Sequence, residues 1–257
     1  MFCNTFKRLK HNKAFSLAEV LLVLTIIGVI ASLTMPDLIV DMQKQELYSR
    51  FTVAYQALDQ AATMIVEDYG GDLTNQFPYG ASNIDTNELL DAFASKLITI
   101  KKCYSGDAND CWTVPDVIDM LNGDPIVTSF YYWDSRDTSM ILANGTQIRF
   151  LYRATAFPSK YACNGGAYSF KGQNAFCIPI HLDTNGDKPP NQLGRDIFQL
   201  LLYKYGIVGM GFQGTATAFD YTQHPELCTT DCVGGGCAAY SGLNCPARLL
   251  LEGEMNY

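Results

Sequence analysis

One carboxylate stands alone in the most apolar part of this chain. Glu19 lies four residues after Phe15, in a run from Phe15 to Met35 that holds no other charge. A carboxylate in a membrane span costs roughly 2.5–3.5 kcal/mol on insertion scales, so a chain that keeps one there has a use for it. The chemistry open to it is pairing with a cation in an apolar surround. Ahead of the run sits a basic leader, Lys7-Arg8-Leu9-Lys10-His11-Asn12-Lys13, followed by the small residue Ala14. A secretory signal peptide carries its small-residue cleavage site after the apolar run. Here the candidate site lies before it, between Ala14 and Phe15. Cleavage there leaves the apolar segment on the mature chain and creates a positive amino terminus at Phe15. The run is 21 residues, and a bilayer needs about 20. The leader holds four Lys/Arg and no acid, which keeps it cytoplasmic and sends the rest to the outer side.

Two further groups of residues could do chemistry. Of nine cysteines, Cys3 lies in the leader, and Cys103, Cys111, Cys163, Cys177, Cys228, Cys232, Cys237 and Cys245 remain. An even number outside the cytoplasm reads as disulfides. Short loops favour Cys103–Cys111 and Cys163–Cys177, while the pairing of the last four is open. Four thiolates from Cys228 to Cys245 also suit zinc, although the spacing lacks a tight Cys-x2-Cys knuckle. The second group is Asp183-Thr184-Asn185-Gly186-Asp187, where Asp183, Asn185 and Asp187 alternate as oxygen ligands do in calcium loops, with Asn191 or Asp196 to add more. Glycine falls at the fourth place of this segment rather than the sixth, and Gly194 at the twelfth, so it departs from an EF-hand. The reading these residues favour is a rigid turn, with Asn and Gly for positive φ and Pro189-Pro190 for stiffness.

Catalytic chemistry finds little support. The three histidines are His11 in the leader, His181 on an expected strand and His224 before Pro225. No nucleophile elbow, phosphate loop, dinucleotide fingerprint or His-Glu-x-x-His pattern occurs. His181 beside Asp183, together with Trp112, Trp133, Tyr131 and Tyr132, reads as packing. Without the leader, 14 basic residues face 26 acidic ones, a net charge of −12. Such a chain lacks the clustered Lys/Arg of non-specific nucleic-acid binding.

The elements that must position these groups follow from periodicity. After Pro36, apolar residues recur at Tyr48, Phe51, Tyr55, Leu58, Ala62, Ile65 and Tyr69, spaced three and four apart, which places them on one helix face. Lys44, Glu46, Arg50, Gln56, Asp59, Gln60 and Glu67 fill the other. One helix from Phe15 to Tyr69 would extend roughly 80 Å, kinked at Pro36 and stopped by Gly70-Gly71. A second helix is expected over 86–101, capped by Asp85 and Glu88, with Leu89, Leu90, Phe93, Leu97 and Ile98 inward and Lys101 and Lys102 at its negative end. A short helix is expected near 114–121. Strands at 139–143 and 146–151 flank Asn144-Gly145, a hairpin signal. More strands are expected at 176–183 and 197–203, and a disulfide-stapled loop region over 209–245. Helices followed by strands give α+β, with an antiparallel sheet laid on the long helix.

The N-terminal constellation resembles that of type IV pilins and type II secretion pseudopilins. Their pattern is a basic leader, Gly, Phe, Ser/Thr, Leu, any residue and Glu, then an apolar helix. Here it stands as Phe15-Ser16-Leu17-Ala18-Glu19, with Gly28 and Pro36 further along. Ala14 replaces the usual Gly and, as the next smallest side chain, is compatible with cleavage. The stretch from Asp183 to Phe198 resembles a segment of secretion-type members, and Leu142 to Thr146 and Met255-Asn256-Tyr257 fit that branch loosely. Residues 209–245 lie outside the resemblance.

The resemblance implies a pilin-like fold in three parts. These are a leader over 1–14, a transmembrane and filament-core helix over 15–36, and an extracytoplasmic globular domain over 37–257. It implies a prepilin peptidase cutting after Ala14, N-methylation of Phe15, and pairing of Glu19 with a neighbouring subunit's terminus. Other pilin-like subunits, the assembly machinery and the bacterial inner membrane are the implied partners. Some pseudopilins hold a structural calcium in a loop comparable to Asp183–Asp187. The expected function is a subunit of a type II secretion pseudopilus or related type IV pilus-like filament. The alternative is a single-pass anchored binding protein that does not assemble.

Overall fold

In the computed structural model the described residues are 16–73, 76, 86–113, 118–125, 136–151, 177–214, 220–232 and 240–257. They fall into two units, 1–43 and 44–257. Helix α1, Leu17–Asp68, runs through both as 52 continuous residues. Its first half is apolar all round: nearly every side chain from Leu17 to Gln43 is exposed. Over the most apolar 18 residues the mean hydropathy is 2.4, long and apolar enough to cross a membrane. The few hydroxyls there bond back to the helix, Thr25 to the Leu21 carbonyl at 2.8 Å, Ser32 to Val29 at 2.8 Å and Thr34 to Ile30 at 3.1 Å. Polar groups in a lipid-facing helix need such internal partners. The helix continues through Pro36, which has no N–H to give to the preceding turn.

From Phe51 onward one stripe is buried: Phe51, Ala54, Leu58, Ala61, Ala62, Ile65 and Val66. Tyr48, Tyr55 and Tyr69 pack half-buried beside it. After Asp68, Gly70 and Gly71 take φ of 77° and 92°, and the Gly71 N–H reaches back to the Val66 carbonyl at 2.8 Å. Only glycine adopts that left-handed turn without strain, so the helix stops where expected.

A six-stranded antiparallel sheet meets this stripe. Its strands are β1 Thr99–Cys103, β2 Thr138–Leu142, β3 Gln147–Phe150, β4 Cys177–Asp183, β5 Ile197–Tyr203 and β6 Gly206–Gly209, in sequential order. Alternation along the strands sorts residues onto two faces. Met140, Ile148, Phe150, Ile178, Ile180, Leu182, Phe198, Leu200 and Leu202 form one core with the α1 stripe, the Phe51 and Phe198 rings being 4.4 Å apart. Helix α2, Thr86–Lys96, adds Leu89, Leu90 and Phe93 to the same core.

The opposite face is polar yet buried, with Ser139, Gln147, Arg149, His181, Asp183 and Gln199. Arg149 donates to Asp137 Oδ2 through Nε at 3.0 Å and Nη2 at 2.7 Å, and through Nη1 to Asn109 at 3.3 Å. Gln147 exchanges bonds with Thr113. Asn109 belongs to a 3-10 turn, Ala108–Cys111, whose Cys111 is bonded to Cys103.

Several expectations need correction. The second helix ends at Lys96, not at residue 101; Thr99, Lys101, Lys102 and Cys103 instead pair with β2 as an edge strand. Ile98 is 81% exposed rather than inward. Cross-strand bonding outweighs the helical periodicity there, because Thr and Ile are stiff at χ1 and suit a pleated surface. Residues 118–121 form a bridge and a turn instead of helix. Strand β6 and helix α3, Cys245–Glu252, occupy ground expected to be loop or left unassigned. The β2–β3 hairpin closes by a type I turn plus a bulge residue, Gly145 at φ 87°, with its N–H on Leu142 O and the Leu142 N–H on Thr146 O, both 2.9 Å. Asp85, Trp133, Tyr131, Tyr132 and positions 114–117 lie outside the described residues.

Cys103–Cys111 forms as expected. Cys228 bonds to Cys245, which removes two of the four thiolates a zinc site would need. Cys232 is disulfide-bonded too. Cys163, Cys237 and the side chain of Cys177 lie outside the described residues.

The buried Arg149–Asp137 pair has side chains 2% and 1% exposed, whereas Arg50–Glu46 on α1 is a surface pair. Asp137→Ala leaves a buried guanidinium without its carboxylate and should lower stability by about 3–5 kcal/mol. Glu46→Ala should cost less than about 1 kcal/mol. Urea unfolding of the two variants checks the contrast.

Candidate functional site

The N-terminal site is built by the first turn of α1. Ser16 precedes the helix and Glu19 is its third residue. Glu19 Oε2 accepts the Ser16 N–H and the Ser16 hydroxyl, both at 2.8 Å, while Ser16 Oγ accepts the Glu19 N–H at 3.2 Å. This is a capping box, in which the two residues satisfy each other's free backbone donors. The spacing Ser16-x-x-Glu19 carries that signal in the sequence, although Glu19 was read there only as a partner for a distant cation. Both cap bonds fall on Oε2, and Glu19 remains exposed. Ala14 and Phe15 lie outside the described residues.

The second site is the loop from β4 to β5. Asp183 closes β4, and its Oδ1 accepts the N–H groups of Asn185 and Gly186, each at 2.9 Å. Gly186 at φ 74° and Asn191 at φ 49° supply the left-handed corners, as expected of a turn rich in Asn and Gly. Across the loop, Asp196 accepts the Asn191 N–H on Oδ2 and the Gln192 N–H on Oδ1, both at 2.7 Å. Asn185 also bonds the Asp196 carboxylate and donates to the Pro189 carbonyl at 3.2 Å.

Three buried oxygens on this loop receive no hydrogen: Asp183 Oδ2, Asn185 Oδ1 and Asn191 Oδ1. Buried acceptors without donors are rare, and an ion is one of the usual reasons. Asp183 and Asp196 are both fully buried, and neither joins an ion pair among the described residues. Burial pushes the Asp183 carboxyl up to about 8, against its own backbone hydrogen bonds, and the nearby Asp196 charge adds to the rise. Burial raises Asp196 as well, opposed by its hydrogen bonds.

No three His, Cys, Asp or Glu side chains gather as a ligand set among the described residues. The donors present are carboxylate and amide oxygens, which suit a hard cation such as calcium. Of the residues singled out from sequence, Asp183 is buried and Asn185 is half-buried with its Oδ1 covered. Asp187 is exposed and close enough for its charge to act on Asp183. Of the two named only as additions, Asp196 is buried and Asn191 is half-buried with its Oδ1 covered. His181 is buried and stacks near Trp112, ring centres 6.1 Å apart.

Asp183 gives the loop a pH signature. Its carboxyl titrates near 4 in an unfolded chain and about 8 in the folded one. Between those values the unfolded state has lost a proton that the folded state retains, so stability falls as pH rises. In EGTA, the melting temperature should decline from about pH 4 to about pH 8. Asp183→Asn, which stays neutral, should flatten that decline relative to the unmutated chain.

Residues 9–35 match the prokaryotic N-terminal methylation motif. No curated protein and no solved structure matches the chain significantly. The motif spans the end of the basic leader, the candidate cut site, Glu19 and the start of the one described helix apolar enough to cross a membrane, so this N-terminal region is of the prepilin type.

Proposed function

We propose that this protein is a subunit of a type II secretion pseudopilus or a related type IV pilus-like filament. Its methylation motif is that of a pilin-like or pseudopilin-like protein made as a prepilin, and the observation that carries the proposal is that motif with Glu19 as its lone carboxylate. A prepilin peptidase cuts after Ala14, and Phe15 is N-methylated. Helix α1 then holds the subunit in the inner membrane, with the globular part outside, until it is drawn into a filament. The secretion branch is favoured by the resemblance of Asp183 to Phe198 to that branch. The role is structural rather than catalytic.

The cap geometry bears on how Glu19 acts. Oε2 secures the first turn of α1, and Oε1 is the oxygen left to meet a neighbour's positive amino terminus. In an apolar surround that pair removes the cost of two isolated charges. Calcium on Asp183, Asn185 and Asn191 belongs to the same proposal. It supplies the positive charge that two buried carboxylates lack, and it should reverse the pH-dependent loss of stability expected in EGTA.

Two substitutions separate the functions of Glu19. Glu19→Gln keeps a side chain able to close the capping box but has no charge. Glu19→Ala loses both and should cost the helix start about 0.5–2 kcal/mol in addition. Both should be processed normally, because the cut site is untouched. Both should accumulate as membrane-held monomers when co-expressed with the assembly machinery, as seen by cross-linking and electron microscopy. Filaments of normal abundance from Glu19→Gln would contradict charge pairing and favour an anchored protein that does not assemble.

A further inference from the structure

The oxygen-lined loop is clamped from outside by parts of the chain distant in sequence. Its second half, Asn191–Asp196, supplies one hydrogen-free oxygen and both N–H groups that hold Asp196. On one side, the Leu193 N–H bonds the Asp119 carbonyl at 2.8 Å, and Gln192 Nε2 bonds the carbonyls of Met120 at 2.8 Å and Leu121 at 3.2 Å. On the other side stands the segment from Gly242 to Tyr257. Tyr257 is buried, and its hydroxyl donates to the Gly194 carbonyl at 2.7 Å. The Arg248 guanidinium lies 5.0 Å from the centre of the Tyr257 ring. Arg248 also donates to the Cys228 carbonyl at 2.6 Å.

Backbones approach closely at this wall. A Cβ on Gly194 would stand 2.9 Å from Cys245 Sγ and 3.0 Å from Gly242 Cα, and one on Gly242 would stand 2.4 Å from the Leu193 carbonyl oxygen. Both glycines have positive φ, 85° and 94°. The Cys228–Cys245 bond is therefore part of the surface against which the loop is moulded.

We propose that Tyr257 and the Cys228–Cys245 bond are positioning residues for this loop, setting how tightly it holds calcium. This rests on the calcium reading above. Each acts through the backbone at Gly194, which lies between Asn191 and Gln192, whose N–H groups hold Asp196, and Asp196 itself. Because binding couplings are reciprocal, calcium in turn holds the Cys245–Tyr257 segment against the loop.

The test is calorimetric titration of calcium chloride into the full chain in detergent micelles. Tyr257→Phe removes one hydroxyl and should weaken binding about 10-fold or more, the usual effect of losing a group that orients ligands. Cys228→Ala with Cys245→Ala should do the same. Cys103→Ala with Cys111→Ala, which opens a disulfide at the far edge of the sheet, should leave the affinity unchanged. Calcium should also slow amide hydrogen exchange across 245–257, and less so in Tyr257→Phe, a response that a purely structural tyrosine would not give. Equal calcium affinity in the unmutated chain and Tyr257→Phe would overturn the positioning role and leave the calcium reading intact. Absence of calcium binding by the unmutated chain would overturn both.

Discussion

A single helix has to satisfy two solvents, and the rest of the structure depends on how it does so. Over Leu17 to Met42, α1 presents apolar side chains in every direction, which is stable only against lipid or other helices. From Phe51 to Val66 the apolar residues contract to one stripe. That stripe closes the sheet: Phe51 against Phe198, with Leu58 and Ile65 buried in the same core. Truncating a buried aromatic such as Phe51 would cost about 3–5 kcal/mol, a large share of a domain's net stability of about 5–15 kcal/mol. The anchor and the core of the folded domain are thus one covalent element, so pulling on the apolar end loads the domain through its own core.

The sheet's second face follows a different logic. Ser139, Gln147, Arg149 and Asp183 are buried there, where an apolar layer would have been the simpler solution. Arg149 is neutralised by Asp137, and Gln147 is satisfied by Thr113. Asp183 differs, since one of its oxygens receives no hydrogen and a second buried carboxylate, Asp196, stands near it. A low-dielectric interior makes uncompensated charge costly. The cation proposed for the loop would offset that cost, and the contacts of Tyr257 and Cys245 with Gly194 would brace the loop around it.

How much of this was legible in the sequence varied with how local the signal was. The α1 stripe, its Gly70-Gly71 stop, the β2–β3 hairpin, β4, β5 and the Cys103–Cys111 bond all rest on spacing within a few residues, and each appeared in the expected place. The methylation motif is equally local. Strand β1 was missed because Thr99-Ile100-Lys101-Lys102 continues an amphipathic helical pattern, and only pairing with β2 decides otherwise. Strand β6 is four residues bounded by glycines. Helix α3 was hidden behind a Gly- and Cys-rich stretch, although Pro246 near its start and Gly253 at its end, φ 78°, are the usual punctuation. In the loop, alternation singled out Asp183 and Asn185, and the turn expected of Asn and Gly there is present. The burial of Asp196 and the donor-free Asn191 Oδ1 are matters of tertiary packing, which sequence spacing does not reveal.

On the proposed function, the apolar helix begins a processed subunit rather than a simple anchor. The most direct measurement is intact-mass and N-terminal peptide mass spectrometry of protein extracted from membranes of cells with an active prepilin peptidase. The expected product is a chain that starts at Phe15, lacks the leader through Ala14 and carries one methyl group on its terminal nitrogen; this result supports the proposed processing. A chain that still starts at Met1, or one cut after Met35 so that Glu19 is lost, would contradict it.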